Sequence, residues 1–260
     1  MTLTLQPSDW IALLSLAFSL IALAPQLWRR LFAKIEVHEM PSIEVGLSNL
    51  GPTIGFIGTL YAVRGAQIVT NMQLHVQKDG SPNSHIFSWR AFRANAVKVM
   101  ELNNIEAEAP SAFKVNDQDL KKMSILFSDE QLLETIFKAV SSSVDEYRNF
   151  CQLHRLPFVE GAASCHPDNF AKFYAQNAAS VLRAQKVMHD ANYWKAGSYG
   201  MKLVIQTISP RRRYISSYKF ELSPADEELL RQNVDVTFRG VFGWPDQVVR
   251  HASIRLTRCA

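Results

Sequence analysis

Cysteine is scarce in this chain: Cys151, Cys165 and Cys259 make an odd set of three with no repeating interval. That excludes the disulfide framework of small secreted domains and suits a reducing compartment. Also absent are a Gly-Lys-Ser/Thr phosphate loop, a dinucleotide fingerprint, an HExxH helix, a Ser-His-Asp order and a paired-carboxylate signature. Enzymatic chemistry is therefore the less favoured class, and no cofactor is implied. No internal repeat or low-complexity tract occurs. With 47% apolar and 20% charged residues, the composition is that of an ordinary globular protein.

A further absence is local. Residues 10–28 contain no ionisable side chain; Trp10 and Trp28 bracket them, and Arg29, Arg30 and Lys34 follow at once. As a helix this run would extend roughly 28 Å, close to the ~30 Å hydrocarbon core of a bilayer, with the two indoles and the arginines as interface anchors. The expectation is one N-terminal transmembrane helix, preceded by a short extracytoplasmic tail over residues 1–9. The run has two alternative readings. A cleaved signal peptide lacks its basic n-region, because Asp9 precedes the run, and Pro25 would follow the small-x-small site at Ala22-Leu23-Ala24. A buried core helix is favoured by the modest length and by Pro25 and Gln26. Retention of Arg and Lys on the cytoplasmic side would leave residues 29–260 inside, at a bacterial inner membrane, single-pass.

Within the run, Ala12, Ser15, Ser19 and Ala22 recur at steps of three, four and three residues. They line one helix face, on which small side chains permit close helix approach and self-association. Ser8 and Gln26 extend the same seam. Its alternative is a monomeric anchor that merely tolerates small residues.

Beyond residue 29 the pattern predicts one α+β domain: an antiparallel β-sandwich-like fold carrying a helical-hairpin insertion at about 128–192. Period-two alternation marks strands at 42–49, 58–63 and 68–77, with a turn at Lys78-Asp79-Gly80-Ser81-Pro82 and a returning strand over 84–92. Another strand is predicted at 123–127. Ser128 with Gln131 reads as a capping box, after which Leu133, Ile136, Phe137, Val140, Val144 and Tyr147 recur at helical spacing. Pro167 opens a second helix carrying Phe170, Phe173, Tyr174, Val181 and Met188. Strands return at 202–209, 214–222, 234–241 and 247–256, with a short helix at 223–232.

The segment Ile43-Glu44-Val45-Gly46-Leu47-Ser48-Asn49-Leu50-Gly51-Pro52-Thr53-Ile54-Gly55-Phe56-Ile57-Gly58-Thr59-Leu60, with Phe87-Ser88-Trp89-Arg90-Ala91-Phe92-Arg93, resembles a group of uncharacterised bacterial single-span proteins with a β-rich cytoplasmic domain. The plan of a span plus a soluble domain is similar to that of membrane-acting effectors of bacterial immune systems. The resemblance implies a location and a fold and names no activity.

Several groups of residues carry both a functional and a plainer reading. Cys151, His154, Cys165 and His166 are four zinc-capable residues within sixteen, but their spacing matches no common zinc site, and no metal is assigned. A Cys165 nucleophile with His166 or His154 as base has nothing to lower the thiol pKa. Gly51, Gly55 and Gly58 fit turns, bulges or close backbone approach better than a phosphate cradle. His85, Trp89 and Arg90 suggest a recognition patch, with Trp89 as core the plainer reading. Charge is uneven: residues 100–150 hold ten acidic against five basic side chains, whereas residues 195–260 hold eleven basic against six acidic. Arg211, Arg212 and Arg213 are its sharpest cluster, placed in a loop between strands with Tyr214 and Tyr218 nearby. That loop would bind anionic lipid headgroups, a nucleotide or nucleic acid, or be a solvated hairpin.

The leading expectation is thus a membrane-anchored cytoplasmic binding or effector module, acting at the inner membrane in bacterial defence, with membrane lipid, a protein partner and a second copy as its contacts. The alternatives are an anionic-ligand sensor using Arg211 to Arg213 and a membrane-bound hydrolase with an unidentified site.

Overall fold

The computed structural model describes residues 7–48, 51–93, 107–117, 119–156, 167–208, 211–242 and 249–259. In chain order they form α1 (Pro7–Phe32), β1 (Lys34–Ser48), β2 (Gly51–Val63), β3 (Gln67–Lys78), β4 (Ser84–Arg93), β5 (Ala107–Glu108), β6 (Phe113–Val115), β7 (Lys121–Asp129), α2 (Glu130–Leu153), α3 (Pro167–Ala191), β8 (Gly197–Ile208), β9 (Arg211–Leu222), α4 (Pro224–Val241), β10 (Ala252–Arg255) and β11 (Thr257–Arg258). All strands join one antiparallel sheet of order β10-β1-β2-β7-β4-β3-β8-β9-β11, with β5 on β4 and β6 on β3. Because β9 also approaches β1 and β10, the sheet curls until it nearly closes.

This is the first correction to the expected sandwich. Two packed sheets would leave four edges, whereas curling one sheet leaves short edge strands and puts a single core inside. The alternation decides which side is inside: Met72, Leu74 and Val76 of β3 and Leu203 and Ile205 of β8 are buried, joined by Ile43, Val45, Phe56, Phe87 and Phe127. The expected hairpin is present, with Gln73 opposite Ser88 and Gln77 opposite Ser84.

A second core forms where α2, α3 and α4 meet one end of the sheet. Leu47 at the end of β1 joins Ile136, Val140 and Tyr147 of α2, Phe173, Val181 and Met188 of α3, and Val234 and Phe238 of α4. The helical hairpin expected at 128–192 is therefore present, and Pro167 is the first residue of α3. Two details differ. The α2 N-cap is Asp129, not Ser128, and its carboxylate accepts from the backbone N–H groups of Gln131 and Leu132. The strand expected at 234–241 is the second half of α4, which starts from a Ser223–Asp226 capping box. Its buried residues Leu230, Asn233, Val234, Thr237 and Phe238 follow the three-four spacing of a helix face. Among the described residues of the strand expected at 247–256, Ala252–Arg255 pairs with β1.

A further correction concerns the N-terminus. A helix is present, but among the described residues no helix is long and apolar enough to cross a membrane. Pro25 lies inside α1, where it removes one backbone donor from the helix. The transmembrane helix, the single-pass membrane assignment and the inner-membrane location with its orientation are accordingly not supported. Of the expected interface anchors, the side chains of Trp10, Arg29 and Arg30 lie outside the described residues, and Trp28 stacks on Phe32 at a ring distance of 4.2 Å.

The helix is nevertheless fixed to the sheet. Arg212 of β9 donates to the carbonyls of Leu31 and Ala33, the former from Nη2 and the latter from Nη1 at 2.8 Å, and the Tyr214 hydroxyl donates to the Ala33 carbonyl at 3.0 Å. A cation at the C-terminal end of α1 satisfies carbonyls that the helix itself leaves unpaired and complements its dipole.

Candidate functional site

Alternation along β9 separates the three arginines. Arg212 and Tyr214 point to the α1 side, whereas Arg211 and Arg213 are exposed on the outer face of the sheet. The cluster is the first part of a strand and not a loop. Tyr218, the other aromatic expected beside it, is buried in the barrel core. Arginines and tyrosines therefore do not form the one patch that their sequence proximity suggested.

The register supplies Arg213 with different neighbours. Across β3, β8 and β9 the outward rows are Asn71–Gln206–Arg213, Gln73–Val204–Ile215, His75–Lys202–Ser217 and Gln77–Gly200–Lys219, followed by Ser198–Glu221 on β8 and β9. Arg211, Arg213, Lys202 and Lys219 are all exposed, and among the described residues none of the four forms an ion pair. Among the described residues no helix makes an extensive contact with β3 or β8, so none of the described helices covers this face. Arg211 to Lys219 spans about 26 Å along the strand.

The field of these cations is felt at His75. Its pKa lies below the usual histidine value, first because of burial and then because Arg213 and Lys202 oppose a further positive charge. Beside it lies a depression of about 290 Å³ lined by His75, Lys202, Ser217, Lys219 and Cys259, with Asp79 the carboxylate at its rim. Gly200 keeps it open: a Cβ there would meet nothing closer than the Gln77 carbonyl at 4.0 Å. Lys202, Lys219 and His75 escaped the sequence reading because they belong to three strands whose register no local pattern reveals. The period-two spacing of Arg211, Arg213 and Lys219 was the one available signal.

The remaining candidates fall into structural roles or outside the description. Cys151 is buried in the helical core and its thiol pKa is pushed up by burial; His154 ends α2; Cys165 and His166 lie outside the described residues. Among the described residues no three His, Cys, Asp or Glu side chains converge on a point that would hold a metal ion. Gly51 takes φ +74° at the β1–β2 turn, and Gly55 lies beneath the Arg93 guanidinium, where a Cβ would come within 2.9 Å of Nη1. That absent side chain lets Arg93 reach Glu44 across the outer face at 2.7 Å. His85, Trp89 and Arg90 do not form one patch. Trp89 is core at 6% exposure, and Arg90 donates from Nε to Ser128 Oγ at 2.8 Å. His85 stacks on Tyr193 at 3.6 Å and meets Asp129 at 3.3 Å. Ala12, Ser15, Ser19 and Ala22 are exposed on α1.

No protein-family model matches the chain, and neither a curated protein nor a solved structure matches it.

Proposed function

We propose that the chain is a binding module that engages a phosphate-bearing polyanion through the outer face of β3, β8 and β9. The observation that supports this reading most directly is the set of four exposed cations, Lys202, Arg211, Arg213 and Lys219, without carboxylate partners among the described residues, on a sheet face that none of the described helices covers. Asp79 and Glu221 lie on the same face beyond Lys219, so its Arg211-to-Lys202 stretch is the cationic part, and such a stretch attracts opposite charge over roughly a Debye length. The spread of the four cations along the strand suits a chain of phosphates better than one small anion. The aromatic rings of β9 point elsewhere, so stacking on bases is not part of the reading and recognition is by charge.

The test is fluorescence anisotropy of the full chain with a labelled single-stranded oligonucleotide, with inorganic polyphosphate as competitor. Four phosphate contacts at ~0.7 released counterions each give a log–log salt slope of about −3. Lys202→Gln/Arg213→Gln/Lys219→Gln should weaken binding at least tenfold, on the order of 1.4 kcal/mol, while Lys138→Gln on α2 should not. Absence of binding by the parent chain, or equal binding by the triple variant, rejects the proposal.

A further inference from the structure

The cations of the outer face stop at one row of the sheet. Past Gln77–Gly200–Lys219 the next row is Asp79–Ser198–Glu221, because Ser198 is paired with Glu221 and its carbonyl accepts from the backbone N–H of Asp79 at 2.9 Å. Both carboxylates belong to exposed residues. One row is a step of about 7 Å along the strand, within a Debye length. A phosphate chain laid over Arg213 and Lys202 therefore meets repulsion if it continues past Lys219. At this boundary lies the depression of about 290 Å³. Its size is at the low end of the ~300–1,000 Å³ of small-molecule sites, which is room for one group and not for a continuing strand.

The lining selects among such groups. Lys202 and Lys219 are diagonal neighbours, about 7–8 Å apart along the backbone, and both line the depression together with Ser217. Each ammonium is a point charge with three donors on a flexible stem. Gly200 stands opposite Lys219, two residues before Lys202, and places no side chain in the space between them. Asp79 at the rim, when ionised, only accepts. A group that satisfies all of these must accept from two ammonium groups and donate to a carboxylate. An internal phosphodiester has no proton to donate. A phosphate monoester has three free oxygens and a second pKa near ~6, so one of them can be carried as P–OH. We infer, resting on the proposed binding of a phosphate-bearing polyanion, that the polyanion ends in this depression as a phosphate monoester. Its oxygens accept from Lys202, Lys219 and the Ser217 hydroxyl, and its P–OH donates to Asp79. The face thus reads the end of a phosphate chain as well as its charge.

The experiment is fluorescence anisotropy of the full chain with one single-stranded oligonucleotide, labelled at an internal base and prepared in four forms: linear with hydroxyl ends, linear with a 5′-phosphate, linear with a 3′-phosphate, and circular. A phosphorylated end should bind about fivefold more tightly than the hydroxyl-ended form, and the circle no better than that form. Gly200→Val fills the depression, and its Cβ meets nothing closer than the Gln77 carbonyl at 4.0 Å. With circular dichroism unchanged, it should bring all four forms within about twofold of one another. Asp79→Asn, which a turn accepts equally well, should narrow the preference by admitting internal diesters. Inorganic phosphate should displace the phosphorylated form only at millimolar concentration, because the other phosphates of the oligonucleotide hold its end at high effective concentration. Displacement at micromolar concentration would make the free ion the ligand and overturn the inference. Equal binding of all four forms, or a preference that survives Gly200→Val, overturns it and leaves the polyanion reading standing. Three equal linear forms above a weaker circle overturn the monoester in favour of a hydroxyl end. Binding of none of the four rejects the polyanion reading and the inference together.

Discussion

Helices α2, α3 and α4 differ from α1 in one respect that decides their energetics. Each of the three carries an apolar stripe and a charged face. Ile136, Val140, Tyr147 and Phe150 of α2 are buried while Glu134 and Lys138 remain in solvent as an i,i+4 ion pair. In α1 apolar residues occupy every direction, and those described are all exposed. Amphipathic helices obtain their stability from the face they bury. The stability of α1 within one chain rests instead on its own backbone hydrogen bonds, the good helix propensity of its Leu and Ala residues, and the contacts at its last turn. One set of helices is therefore part of the domain, and the other is mounted on it.

The largest effect that would break this comparison is at Phe173. Its ring is fully buried and lies 5.1 Å from Tyr147, 5.6 Å from Phe150 and 6.4 Å from Phe242. Phe173→Ala should cost about 3–5 kcal/mol through lost transfer energy and the cavity left behind. Phe18→Ala removes the same ring from a site with 69% exposure and should change unfolding by less than about 0.5 kcal/mol. Denaturant midpoints of the two variants provide the check. A comparable loss at both positions would mean that α1 is covered after all.

The same contrast explains what was legible in the sequence. Alternation in β3 and the three-four spacing in α2 each report one buried face, so the hairpin and the helical insertion could be read locally. The second half of α4 could not. Val234, Val236 and Phe238 alternate with polar residues, but Val234 and Phe238 lie four apart on one helix face and are buried in the second core, while Leu230, one turn earlier, is buried in the core inside the sheet. Tertiary packing there overrides the β preference of valine. The run at 10–28 reported apolarity without a face, which is compatible with more than one kind of cover, and the membrane reading chose among covers that the sequence does not distinguish. At the candidate site, Arg211 and Arg213 were visible as a cluster. Their separation from Arg212 required the strand, and their association with Lys202, Lys219 and His75 required the register.

Intermediate effects are expected where each helix type is tied down. Asp129 is nearly buried and caps α2 through two backbone N–H groups while facing His85. Asp129→Ala should destabilise the domain by about 1–2 kcal/mol, seen as a lowered thermal midpoint of the whole transition. Arg212→Ala removes the donor to Leu31 and Ala33 and should act only locally. Amide exchange in the last turn of α1 should quicken by the equivalent of about 0.5–1 kcal/mol, with the midpoint unchanged. A global loss in the Arg212 variant would instead join α1 to the folding unit.

The smallest effect is electrostatic and belongs to α4 alone. Glu228 accepts from Arg231 at 2.7 and 2.8 Å and from Gln232 at 2.9 Å. These hydrogen bonds, led by Arg231, hold its carboxyl down to about 2. A carboxylate lowered in the folded state contributes stability that is fully present above its unfolded value near ~4.3 and fades as pH falls through the folded value. The pair is exposed, so the contribution is screened by salt and small. It is best read at the group itself. The carboxyl carbon resonance of Glu228 should titrate with a midpoint near 2, and Arg231→Gln should return it towards the ordinary glutamate range. Were the midpoint to stay low without Arg231, the field of α4 and not its paired side chains would hold the charge. The described residues of α1 between 12 and 28 carry no ionisable group, so over the same pH interval its amide exchange, corrected for intrinsic rates, should stay flat while the first turns of α4 loosen.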